Sequence, residues 1–243
     1  MAKKTPKKSK KTLYLCIGAA AALLLGLALF LLLRGGEEPP VDDDDGSTPP
    51  AYEGSMSLNI GSGLTVVDIG PYTGMYMEDG SNEIVSGVVM CIVRNDGDRA
   101  VEYAQLKLND GQKDIPFTLT ALLPGRSVVL LATDRTAYDK SAAYTATMAQ
   151  SVAFFSYEPS LQADRLQIQG LDGGLNITNI SGADITGDVV VYYKNAASDG
   201  LLYGGITYRT RIAGGIKAGE LKQGMTQHFS VKGSEVLFVT VAE

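Results

Sequence analysis

The chain has 243 residues, 45% of them apolar by type, with no Trp, two Cys, one His, and 21 basic against 27 acidic side chains for a formal net charge of −6. Seven of the basic groups (Lys3, Lys4, Lys7, Lys8, Lys10, Lys11 and Arg34) precede residue 35, which leaves 14 basic against 27 acidic groups, about −13, on the rest of the chain. An acidic body lacks the basic footprint of a nucleic-acid binder, two cysteines cannot make a four-ligand structural zinc site, and no assembled catalytic motif stands in the sequence.

Residues 1–12 form a basic tail, and residues 13–33 read LYLCIGAAAALLLGLALFLLL without a charge. About 20 helical residues at 1.5 Å each span the roughly 30 Å hydrocarbon core, so residues 13–33 are expected to form a transmembrane helix. A cleaved signal peptide would carry a shorter apolar stretch ending in small residues, whereas this one ends Phe30-Leu31-Leu32-Leu33-Arg34. Leu15 is too large to precede a lipidated Cys16, and the apolar run follows that cysteine where it should come first. Six lysines before the helix and acids after it place residues 1–12 in the cytoplasm and 35–243 outside, in a single-pass cell-membrane protein. Gly18, Ala22 and Gly26 fall at four-residue spacing on one helix face, a pattern that permits close helix packing.

Residues 34–56 are dominated by Gly, Pro, Asp and Glu with no apolar periodicity, so no core offsets the entropy of ordering them, and a disordered acidic linker is expected. Consecutive carboxylates at Asp42–Asp45 repel one another and read as spacer, because calcium needs six to eight oxygens converging from a shaped loop.

From Ser55 on, the periodicity is two. Ala104, Leu106 and Leu108 alternate with polar neighbours, as do Ile115, Phe117 and Leu119, and Ile206 and Tyr208 alternate with Thr207, Arg209 and Arg211. Such strands bury one face. Ile84–Val93 and Val189–Tyr193 are apolar on both faces and should be central strands. Asp-Gly pairs at 79–80, 96–97, 110–111, 172–173 and 199–200 suit tight hairpin turns. The body is therefore expected to be all-β.

It also repeats itself. Asn95-Asp96-Gly97 follows one strand, and Leu122, Gly125 and Ser127 precede another; later, Asn179 is followed by Ser181-Gly182, and Leu221, Gly224 and Thr226 stand before the last strands. The Asn-to-Gly separations are 30 and 45, so the second copy is expected to carry about 15 extra residues around 198–215. Two antiparallel β-sandwiches result, over 57–158 and 163–243, with a single larger sandwich as the alternative. A strand ending in N-x-S/D-G, a second long strand and then L-x-x-G-x-S/T resembles the Ig-like β-sandwich modules of the FxLYD type. The resemblance implies Ig-like domains outside the membrane of bacterial surface proteins and no known activity.

Candidate chemistry is sparse. His228 beside Phe229 is expected on a solvent-facing strand, since a Ser-His-acid triad requires a constellation that is not visible. Cys91, in VVMCIV, should behave as a small buried hydrophobe. Asp79, Asn82 and Glu83 suit a hairpin turn better than a calcium loop. Asn176-Ile177-Thr178 and Asn179-Ile180-Ser181 fit glycosylation sequons. Tyr192, Tyr193, Tyr203 and Tyr208 cluster near the insertion with Arg209 and Arg211. Because exposed Tyr and Arg are enriched at binding hot spots, Tyr203, Tyr208, Arg209 and Arg211 form the expected binding face. The alternative is core and cross-strand pairing. The expectation is a non-enzymatic, membrane-anchored surface or envelope protein, without metal or cofactor, that binds a protein or an envelope polymer. The alternative is an accessory subunit that docks in a larger membrane complex through its helix.

Overall fold

The computed structural model describes residues 52–197 and 200–242. The basic tail, the apolar segment with Gly18, Ala22 and Gly26, and the linker up to residue 51 lie outside them. The described residues are all-β, without a helix, and form three sheets. The strands are β1 (Leu58–Gly61), β2 (Leu64–Met75), β3 (Ile84–Asn95), β4 (Val101–Asn109), β5 (Asp114–Leu122), β6 (Ser127–Leu131), β7 (Thr145–Ala146) and β8 (Gln150–Phe154). They continue with β9 (Leu166–Leu171), β10 (Gly174–Asn179), β11 (Val189–Ala196), β12 (Leu202–Ile212), β13 (Leu221–Met225) and β14 (Ser234–Val241).

Alternation explains the one-sided strands. Ala104, Leu106 and Leu108 of β4 and Ile115, Phe117 and Leu119 of β5 are all at most 3% exposed and form one core cluster with Val89, Cys91 and Val93 of β3. β3 lies between β2 and β6, and β11 between β12 and β14, so the two runs that are apolar on both faces are central strands. Cys91 is a free thiol inside that core, where burial keeps it protonated. Residues 52–56 lie along β2, with Met56 N donating to Val67 O at 3.0 Å and Ser55 Oγ to Asp68 Oδ1 at 2.8 Å.

The internal repeat is visible as repeated pairing. In the first half β3 lies between β2 and β6 while β4 pairs with β5 and β8; in the second half β10 lies between β9 and β13 while β11 pairs with β12 and β14. The corner that organises each copy is an asparagine. Asn95 Nδ2 donates to Arg99 O (2.9 Å) and Leu122 O (3.0 Å), and its Oδ1 accepts from Gly97 N at 3.0 Å. Asn179 Nδ2 donates to Ala183 O and Ile216 O, both at 2.9 Å, and its Oδ1 accepts from Ser181 N at 3.0 Å. Both are 0% exposed. The second sequon thus begins with an asparagine whose amide is already committed to the interior.

These bonds correct the alignment of the two copies. The backbone of Asn95 accepts from Gly125 N, and that of Asn179 from Gly219 N, so the counterpart of Gly125 is Gly219 and not Gly224. Both glycines have the left-handed φ the turn requires, +74° and +73°, whereas Gly224 sits within β13 opposite Leu175. The separation in the second copy is therefore 40 positions rather than 45, and the extra length over the first copy is 10 rather than 15.

The extra residues lengthen the β11–β12 hairpin. Its tip adds Leu202 and Tyr203 in parallel to Val128 and Val129 of β6, the one parallel pairing in a seven-stranded sheet of order β1-β2-β3-β6-β12-β11-β14. One sheet thereby carries strands of both copies. Leu202, Leu237 and Phe238 belong to the core cluster of the first half, and a separate cluster around Tyr193, Leu175 and Val191 serves the second. Asp96-Gly97 departs from the hairpin expectation: β3 and β4 lie in different sheets, and this pair makes the crossing, with Gly97 free of a positive φ.

Candidate functional site

The joint between the halves is polar at its centre. Between the pairs Tyr193↔Tyr208 and Asn195↔Tyr203, a single residue of β11, Lys194, faces four of β12. Such a bulge turns carbonyls out of the ladder. Lys194 is 0% exposed, and its Nζ donates to all three of those nearest: Gly204 O (2.9 Å), Gly205 O (3.1 Å) and Ile206 O (2.7 Å). On the other side, Glu78 of the β2–β3 connection accepts from Gly205 N (2.8 Å) and Leu131 N (2.9 Å). The peptide of Gly205 is thus held between a cation of one half and a carboxylate of the other. A Cβ at Gly205 would lie 1.9 Å from Thr118 O, so only glycine permits this approach. Burial lowers the Lys194 pKa to about 7, against the pull of Glu78, and raises that of Glu78. Arg126, 8% exposed, adds a second tie: both of its terminal nitrogens bond the carboxylate of Glu235, and Nη2 also reaches Gly200 O at 2.9 Å.

Beside this joint lies an open groove of about 400 Å³, lined by Tyr72, Met77, Asn195, Tyr203, Tyr208 and His228 among others. It contains two of the four residues of the expected binding face. Tyr203 and Tyr208 both line it, on either side of the bulge. Arg209 lines a different groove of about 430 Å³ with Glu102, Phe155, Tyr157, Tyr192 and Thr207. Arg211 is exposed and bonded to Asp188. The bulge also breaks the expected alternation, since Ile206 shares the Arg209 groove with Thr207 while Tyr208 lies in the other.

Two of the rings in the groove, Tyr208 and His228, are stacked, and Tyr72 is held by a hydrogen bond. Tyr208 lies between Tyr193 and His228, with ring centroids 5.5 and 4.7 Å away and interplanar angles of 21° in both cases. Tyr72 Oη donates to Met75 O at 2.9 Å. Burial raises the pKa of Tyr72 and Tyr208, so both phenols are neutral near pH 7. Tyr208 Oη is shielded and makes no hydrogen bond of good geometry among the described residues, although Asn195 is near enough to offset part of the rise in its pKa. Tyr208→Phe should therefore change stability by less than about 1 kcal/mol, measured by urea unfolding, because no formed bond is lost. His228 is exposed and stands in the turn after β13 rather than on a strand. Asp79 and Glu83 are both engaged by Arg135, at 2.7 and 2.8 Å.

The arrangement suits recognition: flat rings, amide groups at Asn82, Asn195 and Gln227, and thioethers at Met75 and Met77. Sequence reasoning missed Lys194, Glu78, Arg126 and Glu235. The one available signal was Lys194 beside the apolar run Val189–Tyr193, ten residues before the pair Gly204-Gly205. No protein-family model matches the chain, and no curated protein matches it.

Proposed function

We propose that the chain is a non-enzymatic, single-pass surface or envelope protein, with residues 1–12 cytoplasmic and 35–243 outside. Its two Ig-like sandwiches present the Tyr203–Tyr208 groove to a protein or envelope polymer. The observation that carries this reading is the groove itself, a preformed aromatic and amide surface beside a joint locked by Lys194 and Glu78. Rigid aromatic side chains bind at small entropic cost, and stacked rings with amides suit the flat faces and hydroxyls of a glycan as well as a peptide. The charge-free run 13–33, with lysines before it and acids after it, supports the anchor and its orientation.

A photo-crosslinking residue placed at Tyr203 in the full chain, irradiated in native membranes, is expected to capture a defined partner. The same residue at exposed Lys140 should not. Equal capture from both sites would contradict the groove as the contact surface. Capture that depends only on residues 13–33 would favour a subunit docking through Gly18, Ala22 and Gly26.

A further inference from the structure

The two copies differ at the strand that opens each of them. In the first, β1 runs antiparallel along the outer edge of β2, pairing Leu58 with Val66 and Gly61 with Leu64. Its other edge is also bonded, Ala149 N donating to Ile60 O at 2.7 Å, and Ile60 is 2% exposed in the core. β1 therefore closes the side of the first half. In the second half, β9 stands where β2 does, because Leu166 pairs with Asn179 as Leu64 pairs with Asn95. Gln167 and Ile168 thus correspond to Thr65 and Val66.

No strand runs along that edge of β9 among the described residues. The incoming chain instead bonds β14, with Val239 N donating to Ser160 O (2.9 Å) and Gln162 Nε2 to Val239 O (3.1 Å). It then turns directly into β9, Leu166 N donating to Gln162 O at 2.8 Å. An open apolar groove of about 500 Å³ remains, walled by Leu161, Ile168, Gly170, Ile180 and Val236. Leu161 and Ile180 are 41% and 51% exposed. The bond from Ile180 N to Arg165 O fixes the phase of the ladder: Gln167 and Gln169 turn their backbone groups toward β10, and Ile168 and Gly170 turn theirs toward the groove. In the first half, the same phase directs Leu64 and Val66 at β1.

We propose that this edge accepts an extended segment of a partner protein, adding an antiparallel strand to β9. The segment carries two aliphatic side chains two residues apart around an uncharged residue, the pattern of Leu58-Asn59-Ile60. The first half supplies the template, since β1 is that segment bound in cis at the equivalent edge. The occupant is a partner and not β1 of a second copy, because β1 is held on both of its own edges. Main-chain bonds supply the attachment and alternate side-chain pockets the selectivity in strand addition of this kind. The site is separate from the Tyr203–Tyr208 groove and does not depend on it.

The test is fluorescence anisotropy of a labelled peptide MSLNIGS, the sequence of residues 56–62, titrated with the full chain in lipid nanodiscs. Saturable binding is expected, and a scrambled peptide with the two aliphatics adjacent should not bind. Ile168→Pro removes the N–H that faces the groove and leaves the bonds to β10 in place, so it should weaken binding at least about tenfold. Ile180→Glu, which leaves the backbone intact, should weaken it comparably and guards against a folding defect in the first variant. No saturable binding to the native chain, including the case in which another segment of the same chain already fills the groove, overturns the proposal. So does binding unaffected by either substitution, or binding lost instead with Leu221→Glu on the edge strand β13.

Discussion

Replacing Lys194 by Met is expected to cost about 3 kcal/mol, because the carbonyls of Gly204 and Ile206 lose their donor in a dry site at about 1–3 kcal/mol each, not fully additively, while Gly205 O loses one of two donors and keeps Thr120 Oγ1. For a body of this size that corresponds to a fall in Tm of roughly 6–12 °C. Met retains the length and apolar stem of Lys, so the loss reads the ammonium rather than a cavity. Amide hydrogen exchange should show the damage concentrated at β12 between Gly204 and Thr207. A variant as stable as the native protein would mean that the bulge carbonyls are satisfied without Lys194. The same group sets a pH dependence. Its folded pKa of about 7 lies below the ordinary 10.5, so between these values the unfolded chain binds the extra proton. Stability should therefore rise as pH increases from about 7 toward 10.5, and this rise should be absent in Lys194→Met.

Asn95→Ala and Asn179→Ala form the second expected result. Each removes two donated bonds from a fully buried amide, together with one accepted bond at Asn95 and two at Asn179, where Ser181 Oγ donates beside Ser181 N, so that two carbonyls and an N–H must find new partners. A loss of about 3 kcal/mol is expected for each in chemical denaturation. Asn→Asp at the same positions keeps the acceptor and loses the donors, so it should be nearly as damaging. The equality is the informative part. If one alanine variant were silent and the other severe, the two corners would not be equivalent and the internal repeat would fail as a description of the fold.

The strands that alternate were legible because their side chains obey one local rule. Ala104, Leu106, Leu108, Ile115, Phe117 and Leu119 all point into one core, and the two doubly apolar runs are central strands. The repeat was legible through its asparagines, but its second glycine was misplaced. Leu221-Lys222-Gln223-Gly224 shares the L-x-x-G pattern of Leu122-Leu123-Pro124-Gly125, while the residues that build the turn are Ile216-Lys217-Ala218-Gly219. What the turn selects is a left-handed glycine within reach of the asparagine backbone, and spacing alone does not reveal that.

The candidate groove was half legible for a related reason. Tyr203 and Tyr208 meet only because a bulge inserts extra residues between them, and the same bulge sends Arg209 to another groove. A bulge is set by tertiary contacts: the close approach of Gly205 to Thr118, the bond from Thr120 Oγ1 to Gly205 O at 2.5 Å, and the pairing of Leu202 with Val128. Those partners are 74 to 87 positions apart in the chain, beyond any local pattern. Lys194 looks in sequence like a solvated strand residue for the same reason, since its three acceptors exist only after the bulge forms.

The central functional claim is that recognition resides in the outer β body and the apolar segment serves as a tether. Crosslinking and co-purification from native membranes test it most directly, comparing the native chain with one whose residues 13–33 are replaced by an unrelated anchor and with Tyr203→Ala/Tyr208→Ala on the native anchor. Capture of the same partner by both anchors, and its loss in the tyrosine variant, is the expected result. A partner that disappears with the native anchor and persists in the tyrosine variant would contradict the claim and assign recognition to the membrane segment.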